Sequence, residues 1–165
     1  MTLIIEDGTN VANANSYATL VEARAYALAR GVTLSTVDAT LESQLIQAMD
    51  YLEAQRSRYQ GNKTYETQLL QWPRANVWID AYQFSSVGIP QLLKNAQCQL
   101  AMEIHNGVLL LPTITDGAVK REKIDVIEVE YLESSISSSA VLKKVDSLLQ
   151  PLFKTTGFSL GTVRV

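Results

Sequence analysis

The stretch Gln68–Pro90 constrains the fold most, because it combines bulky, rigid and mostly uncharged residues in a short span. Its sequence, QLLQWPRANVWIDAYQFSSVGIP, holds both tryptophans, Trp72 and Trp78, and two of the four prolines. Pro73 lacks a backbone donor and biases Trp72 toward an extended conformation, so the pair predicts a fixed bend, with a trans peptide bond favoured over cis. The simplest interpretation is a buried loop that helices close over. A sharper one adds that Arg74 reaches out to a partner subunit.

Composition places the chain among globular proteins. It has 165 residues, 47% of them hydrophobic and 19% charged, which suits one domain with a real core. The net charge of −3 argues against a dedicated nucleic-acid binder, although a local basic patch stays open. The segment Met1–Asp7 is too short and acidic for a signal peptide, and no apolar run approaches a membrane span. We therefore expect a cytoplasm-like compartment and no membrane partner.

Apolar residues recur at helical spacing in four stretches, which predicts four helices. The predicted helices start after Ser16, within Ser35–Asp38, at Ile89–Pro90 and at Ala140. They end before Gly31, at about Arg58, at Asn106–Gly107 and at about Leu152. Arg56, Arg58 and Lys63 cluster where the second helix ends, and we interpret them as complementing the helix dipole rather than binding phosphate.

The pattern changes to alternation in Val119–Glu133. Apolar residues alternate there with Glu128 and Glu130, which predicts a half-buried strand with one acidic face. The basic residues Lys120, Arg121 and Lys123 precede it. Such a strand could pair with the same strand of a neighbouring copy, or return as a hairpin.

The C-terminal part is predicted to be a linker, a helix and a tail. Residues 134–139 are nearly all serine and suit a flexible linker between a core at 1–133 and a C-terminal unit at 140–165. Phe158, Leu160 and Val163 alternate in the tail, which we expect to be extended and to add to another chain. The predicted fold is mainly α: a small bundle of about four helices with a minor β-hairpin arm and an extended C-terminal tail.

No group of residues suggests a reaction. His105 and Cys98 are the single histidine and the single cysteine, and no third residue completes a nucleophilic site with them. Carboxylates are scattered without the spacing of a metal site. The sequence therefore predicts a protein that is not an enzyme and holds no cofactor or metal.

Several segments, in order, carry a family resemblance that covers roughly Asn15–Leu152. They are Asn15–Tyr17, Glu22–Ala23 with Tyr26, Leu45–Leu52, Tyr59–Gly61, Leu70–Arg74, Ile89–Pro90, Val119–Ile124 and Glu128–Tyr131. The Gln-Trp-Pro-Arg bend and the Val-Lys-Arg-Glu-Lys strand are the most specific. These segments resemble a tailed-phage family described as DnaT-like single-stranded-DNA-binding proteins, whose members occur as head–tail connector, or adaptor, proteins.

The resemblance implies a structural virion protein at the head–tail junction, made in the cytoplasm of a bacterial host. It would form a ring, with twelve copies the expected number, between the portal protein and a stopper or tail-completion protein. DNA would pass through this ring without specific binding. The interface residues we expect are those of the bend, the charged strand and the tail.

The alternative function is that of a single-stranded-DNA-binding protein in a phage replication module. That function needs aromatic side chains on an open face beside basic residues. Trp72, Trp78, Tyr82 and Arg74 are the candidates for it. The acidic net charge, and the absence of a basic run longer than Lys120–Arg121, make us rank it second.

Overall fold

The computed structural model describes residues 2–110, 122–124, 127–129 and 136–154, and these form a mainly helical small domain. The helices are α1 (Leu20–Leu28), α2 (Asp38–Ala54), α3 (Gln91–His105) and α4 (Ile136–Leu149), with a 3-10 turn at Gln150–Leu152. Short strands pair antiparallel in three couples. The couples are β1 (Asn62–Lys63) with β2 (Arg74–Ala75), β3 (Trp78–Ile79) with β4 (Tyr82–Gln83), and β5 (Glu122–Ile124) with β6 (Ile127–Val129). The predicted fold class is confirmed.

Helix α3 lies at the centre, in contact with α1, α2 and α4. Its buried face combines Leu93 and Leu100 with the small residues Ala96 and Ala101, all with no exposed surface. Small side chains let helix axes approach closely, and the leucines fill the space between them. Three neighbours can therefore pack on one helix of ordinary length.

Helix α1 begins later than predicted. Thr19 is its N-cap: the Thr19 side chain accepts a hydrogen bond from the Glu22 amide, and the Glu22 carboxylate accepts one from the Thr19 amide. This reciprocal capping box satisfies two free helix-end donors, so the helix starts at Leu20. Ser16, the predicted cap, instead pairs with Ile5 in an isolated bridge.

Helix α4 begins inside the predicted linker. Ile136 is its first residue, so residues 136–139, the part of 134–139 that the structure describes, are helical rather than a linker. Serine is only moderately unfavourable in a helix, and packing can outweigh that preference. Val145, Leu149 and Leu152 join the same hydrophobic core as the other helices. The described end of this helix therefore packs on the other helices, and the division of the chain at residues 134–139 stays a prediction.

The charged strand returns as a hairpin, with Lys123 opposite Glu128. Of the other predicted interface residues, Lys120, Arg121, Glu130, Phe158, Leu160 and Val163 lie outside the described residues. Their assignment to an interface stays a prediction. Among the described helices, none is long and apolar enough to span a membrane.

Candidate functional site

The first tryptophan of the central stretch lies inside the protein. Trp72 has no exposed surface, and its ring meets Tyr59 edge-on at 5.9 Å between centroids and Phe84 at 6.4 Å. Pro73 is also buried, and the Trp72–Pro73 bond is cis where the sequence favoured trans. The indole Nε1 of Trp72 has no hydrogen-bond acceptor among the described residues. Trp72 is a core residue and cannot offer a face to a ligand.

Arg74 is turned inward, which corrects the expectation that it reaches out to a partner subunit. Its exposed fraction is 6%. The guanidinium donates to the carbonyl oxygens of Gln60 (2.8 Å) and Gly61 (2.7 Å), and more weakly to that of Gln71 (3.3 Å). Burial lowers the pKa of Arg74. The pairing of β2 with β1 brings these carbonyls within reach, so the arginine holds the turn before β1.

The second tryptophan lies on an exposed hairpin. Ile79 pairs with Tyr82 across a two-residue turn, Asp80–Ala81, in which both residues have positive φ (50° and 66°). Positive φ at both positions is typical of a type I′ turn, which matches the twist of two strands. Ile79 packs against the core, while Trp78 is 55% exposed and Tyr82 79% exposed. The hairpin therefore presents two large aromatic side chains to solvent.

Gln60 attaches this hairpin to the rest of the domain. Its side-chain amide accepts from the Trp78 amide (3.0 Å) and donates to the Trp78 carbonyl (2.9 Å), as a neighbouring strand would. The same amide nitrogen donates to the Pro151 carbonyl (2.8 Å). The backbone that carries the exposed indole is therefore held on both sides, by β4 and by Gln60.

Two basic residues lie beside Gln60. Arg58 is two residues before it, at the end of a turn, and the intervening Tyr59 is buried and forms an isolated bridge with Phe153. The Lys154 amide donates to the Arg58 carbonyl (2.7 Å), which places Lys154 alongside. We call the five residues Arg58, Gln60, Trp78, Tyr82 and Lys154 the aromatic–basic strip.

The contacts that Arg58 makes with its neighbours are exposed to solvent. Its guanidinium lies 4.0 Å from the centre of the Phe153 ring and donates to the Asp146 carboxylate (3.0 Å) and to the Gln55 side-chain oxygen (2.9 Å). Side-chain exposures of 46% and 41% make this ion pair a weak one. A groove of about 270 Å³ opens here, lined by Arg58, Lys143, Asp146, Ser147, Gln150 and Phe153. An anion could replace Asp146 at little cost.

Sequence reasoning identified only part of this strip. Trp78 and Tyr82 were named as candidates, whereas Gln60 and Lys154 were not, and Arg58 was assigned to the helix dipole. Helix α2 ends at Ala54, so Arg58 lies beyond it. The motif Tyr59–Gly61 in the family resemblance was the one indication that this segment matters.

The described residues offer no candidate site for a metal ion, and their cysteine is not a reactive one. They contain no group of three or more His, Cys, Asp or Glu side chains that could hold a metal ion. Burial raises the pKa of Cys98 to about 12, so its thiol stays protonated and unreactive at neutral pH. The chemistry that the strip can perform is binding.

A comparison with family models matches residues 1–165 to the family described as “Putative DnaT-like ssDNA binding protein”. The chain matches no curated protein and no solved structure. The family description corrects the predicted connector role and its portal and stopper partners, because it names single-stranded DNA as the ligand and nothing supports a virion ring. The predicted location at the head–tail junction rested on the same role. Single-stranded-DNA binding ranked second on the sequence because of the net charge of the whole chain, whereas binding depends on the charges at the site.

Proposed function

Because the chain belongs to the DnaT-like single-stranded-DNA-binding family, we propose that it binds single-stranded DNA through the aromatic–basic strip. The observation that carries this proposal is the exposure of Trp78 and Tyr82 on a hairpin anchored beside Arg58 and Lys154. No catalytic step is part of it.

The strip has the two components that sequence-tolerant binding to a single strand requires. Unpaired bases expose their flat faces, and stacking on an aromatic side chain contributes about 1–3 kcal/mol per base. Arg58 and Lys154 supply positive charge for the phosphates between those bases. Trp78 and Tyr82 follow each other closely along the hairpin but on opposite faces, since Trp78 pairs with Gln83 and Ile79 with Tyr82. A bound single strand of DNA would therefore wrap around the hairpin rather than lie along one of its faces.

The net charge of −3 does not prevent this interaction. At 0.1 M salt the screening length is about 10 Å, so acidic groups elsewhere on the domain contribute little at the strip. The strip has two basic residues, Arg58 and Lys154, which limits the number of phosphates that it can neutralise. We expect modest affinity, with stacking the larger contribution.

The first prediction concerns Trp78. We expect Trp78→Ala to weaken binding of a labelled thymine oligonucleotide about tenfold, because one stacking interaction is lost. Fluorescence anisotropy at low salt measures it. The matched control is Leu28→Ala, since Leu28 is 69% exposed on α1, outside the strip, and should have no effect. Absence of binding by the parent protein, or equal binding by Trp78→Ala, would overturn the proposal.

The second prediction concerns Arg58. Arg58→Ala should reduce the slope of log affinity against log salt by about 0.7, the value for one phosphate contact on a single strand. Arg30→Ala is the control, because Arg30 also lies over an aromatic ring, that of Tyr26 at 3.4 Å, and carries the same charge. Equal slopes for the two variants would remove Arg58 from the site.

A further inference from the structure

Trp78 and Gln83 lie directly opposite each other on the hairpin. The backbone amide and carbonyl of Trp78 are both engaged by the Gln60 side chain, so they do not bond to Gln83. In an antiparallel ladder this is the pairing in which facing side chains come closest, with Cβ atoms about 4.5–5.5 Å apart. A base stacked on the Trp78 indole would therefore have its edge near the Gln83 amide.

Gln83 also borders a polar pocket of about 490 Å³. The pocket is lined by Ala75, Asn76, Gln83, Phe84, Ser85 and Ser86. Asn76 and Gln83 are exposed, and neither side-chain amide hydrogen-bonds to another described residue. Two unused amides and two serine hydroxyls can therefore donate to, and accept from, a base edge.

An amide presents a donor and an acceptor side by side. Adenine offers the complementary pair, its N6 amine and the ring nitrogen beside it, and glutamine and asparagine are the side chains that most often bind adenine in this way. On the edge that carries adenine N6 and N7, guanine offers two acceptors, thymine an acceptor beside a methyl group, and cytosine a donor alone. The face of the hairpin that carries Trp78 can thus hydrogen-bond to the edge of a base as well as stack on the base.

We propose that Gln83, with Asn76, recognises the edge of the base stacked on Trp78 and prefers adenine at that position. This proposal rests on the proposed function, since it requires a strand bound at the strip. It adds a sequence preference at one nucleotide to binding that is otherwise tolerant of sequence.

The experiment compares thymine oligonucleotides that carry one central adenine, cytosine or guanine with the all-thymine parent, by competition anisotropy. We expect the adenine oligonucleotide to bind about fivefold to tenfold tighter than the all-thymine one, as for one added bidentate contact. Gln83→Ala should abolish that difference while all-thymine affinity stays within about twofold. Asn76→Gly should reduce the difference without strain, since Asn76 has φ of 59° and glycine tolerates that conformation.

Gln91→Ala is the control, since Gln91 is an exposed glutamine on α3. It should keep the full preference for adenine. Binding of all oligonucleotides with equal affinity, or a preference that survives Gln83→Ala, would overturn this inference and leave the proposed function intact. Failure of every oligonucleotide to bind would overturn the proposed function itself.

Discussion

At the residue scale, the two tryptophans show how neighbouring side chains of one type divide between stability and binding. Trp72 fills the interior against Tyr59 and Phe84, and Trp78 stands on the hairpin surface. An aromatic ring buries a large apolar area, so the inner one stabilises the fold. The outer one leaves more than half of its surface in water, which is a cost unless a partner covers it.

The third prediction follows from this division. Trp72→Ala should lower the free energy of unfolding by about 3–5 kcal/mol, because it empties a large aromatic site. Trp78→Ala is the matched control and should change it by no more than about 0.5 kcal/mol. Urea denaturation followed by circular dichroism measures both without depending on tryptophan fluorescence. Similar midpoints for the two variants would mean that Trp72 does not hold the core together.

At the element scale, Glu53 near the end of α2 joins that helix to the bend. Its Oε1 accepts from the Tyr17 hydroxyl (3.2 Å) and from the Gln71 amide (2.9 Å), and the Trp72 amide donates to the Tyr17 oxygen (3.0 Å). Burial raises the pKa of Glu53, and it raises that of Tyr17 well above its usual value. The network aligns the bend with α2 but holds a carboxylate where water is scarce.

The fourth prediction is that Glu53→Gln stabilises the protein at neutral pH. The pKa of Glu53 is higher in the folded protein than in the unfolded chain. As pH rises above about 4.3, the unfolded chain therefore loses this proton while the folded protein still holds it. The contribution of Glu53 to the free energy of unfolding falls as a result. Glutamine keeps an oxygen acceptor for Tyr17 and Gln71 without a charge. Thermal melts from pH 4 to 8 should show the variant gaining on the parent as pH rises.

The control for this prediction is Asp50→Asn on the exposed surface of α2. It removes the same charge without altering the network, so its melting temperature should follow that of the parent. If Glu53→Gln instead lost stability at neutral pH, the carboxylate charge would be stabilising the bend, and the burial argument would be wrong.

At the scale of the whole molecule, Gln97 of α3 ties three parts of the chain together. It has no exposed surface, and its amide oxygen accepts from the Tyr17 and Ala18 amides at 2.9 and 3.0 Å. Its amide nitrogen donates to the Ser16 hydroxyl (2.8 Å) and the Leu45 carbonyl (3.0 Å). A fully satisfied buried amide of this kind specifies one arrangement of the N-terminal segment, α2 and α3.

The fifth prediction is that Gln97→Leu lowers the free energy of unfolding by roughly 3–5 kcal/mol. Leucine has nearly the same bulk but leaves several buried backbone and hydroxyl groups without partners, each at a cost of about 1–3 kcal/mol. Gln91→Leu, on the exposed face of the same helix, is the control and should be nearly neutral. An unchanged stability for Gln97→Leu would show that the surrounding groups find other partners.

The sequence by itself determined the class of the fold and the nature of its bend. Helical spacing of apolar residues is a local property, so the four helices could be predicted from it, whereas the central place of α3 could not. The helix ends could be predicted less well: the capping box at Thr19 displaced the predicted cap at Ser16. The aromatic residues and the proline of the bend predicted a rigid loop, and in the structure its Trp72 is buried in the core.

Only the tertiary structure decided which of these residues meet solvent. No local pattern distinguishes Trp72 from Trp78, because exposure depends on which helices cover each one. Arg58 and Lys154 lie far apart in sequence and become neighbours through the backbone bond between them. Net charge is a sum over the chain, whereas a ligand responds to charges within about a screening length, so the strip could not be predicted from composition.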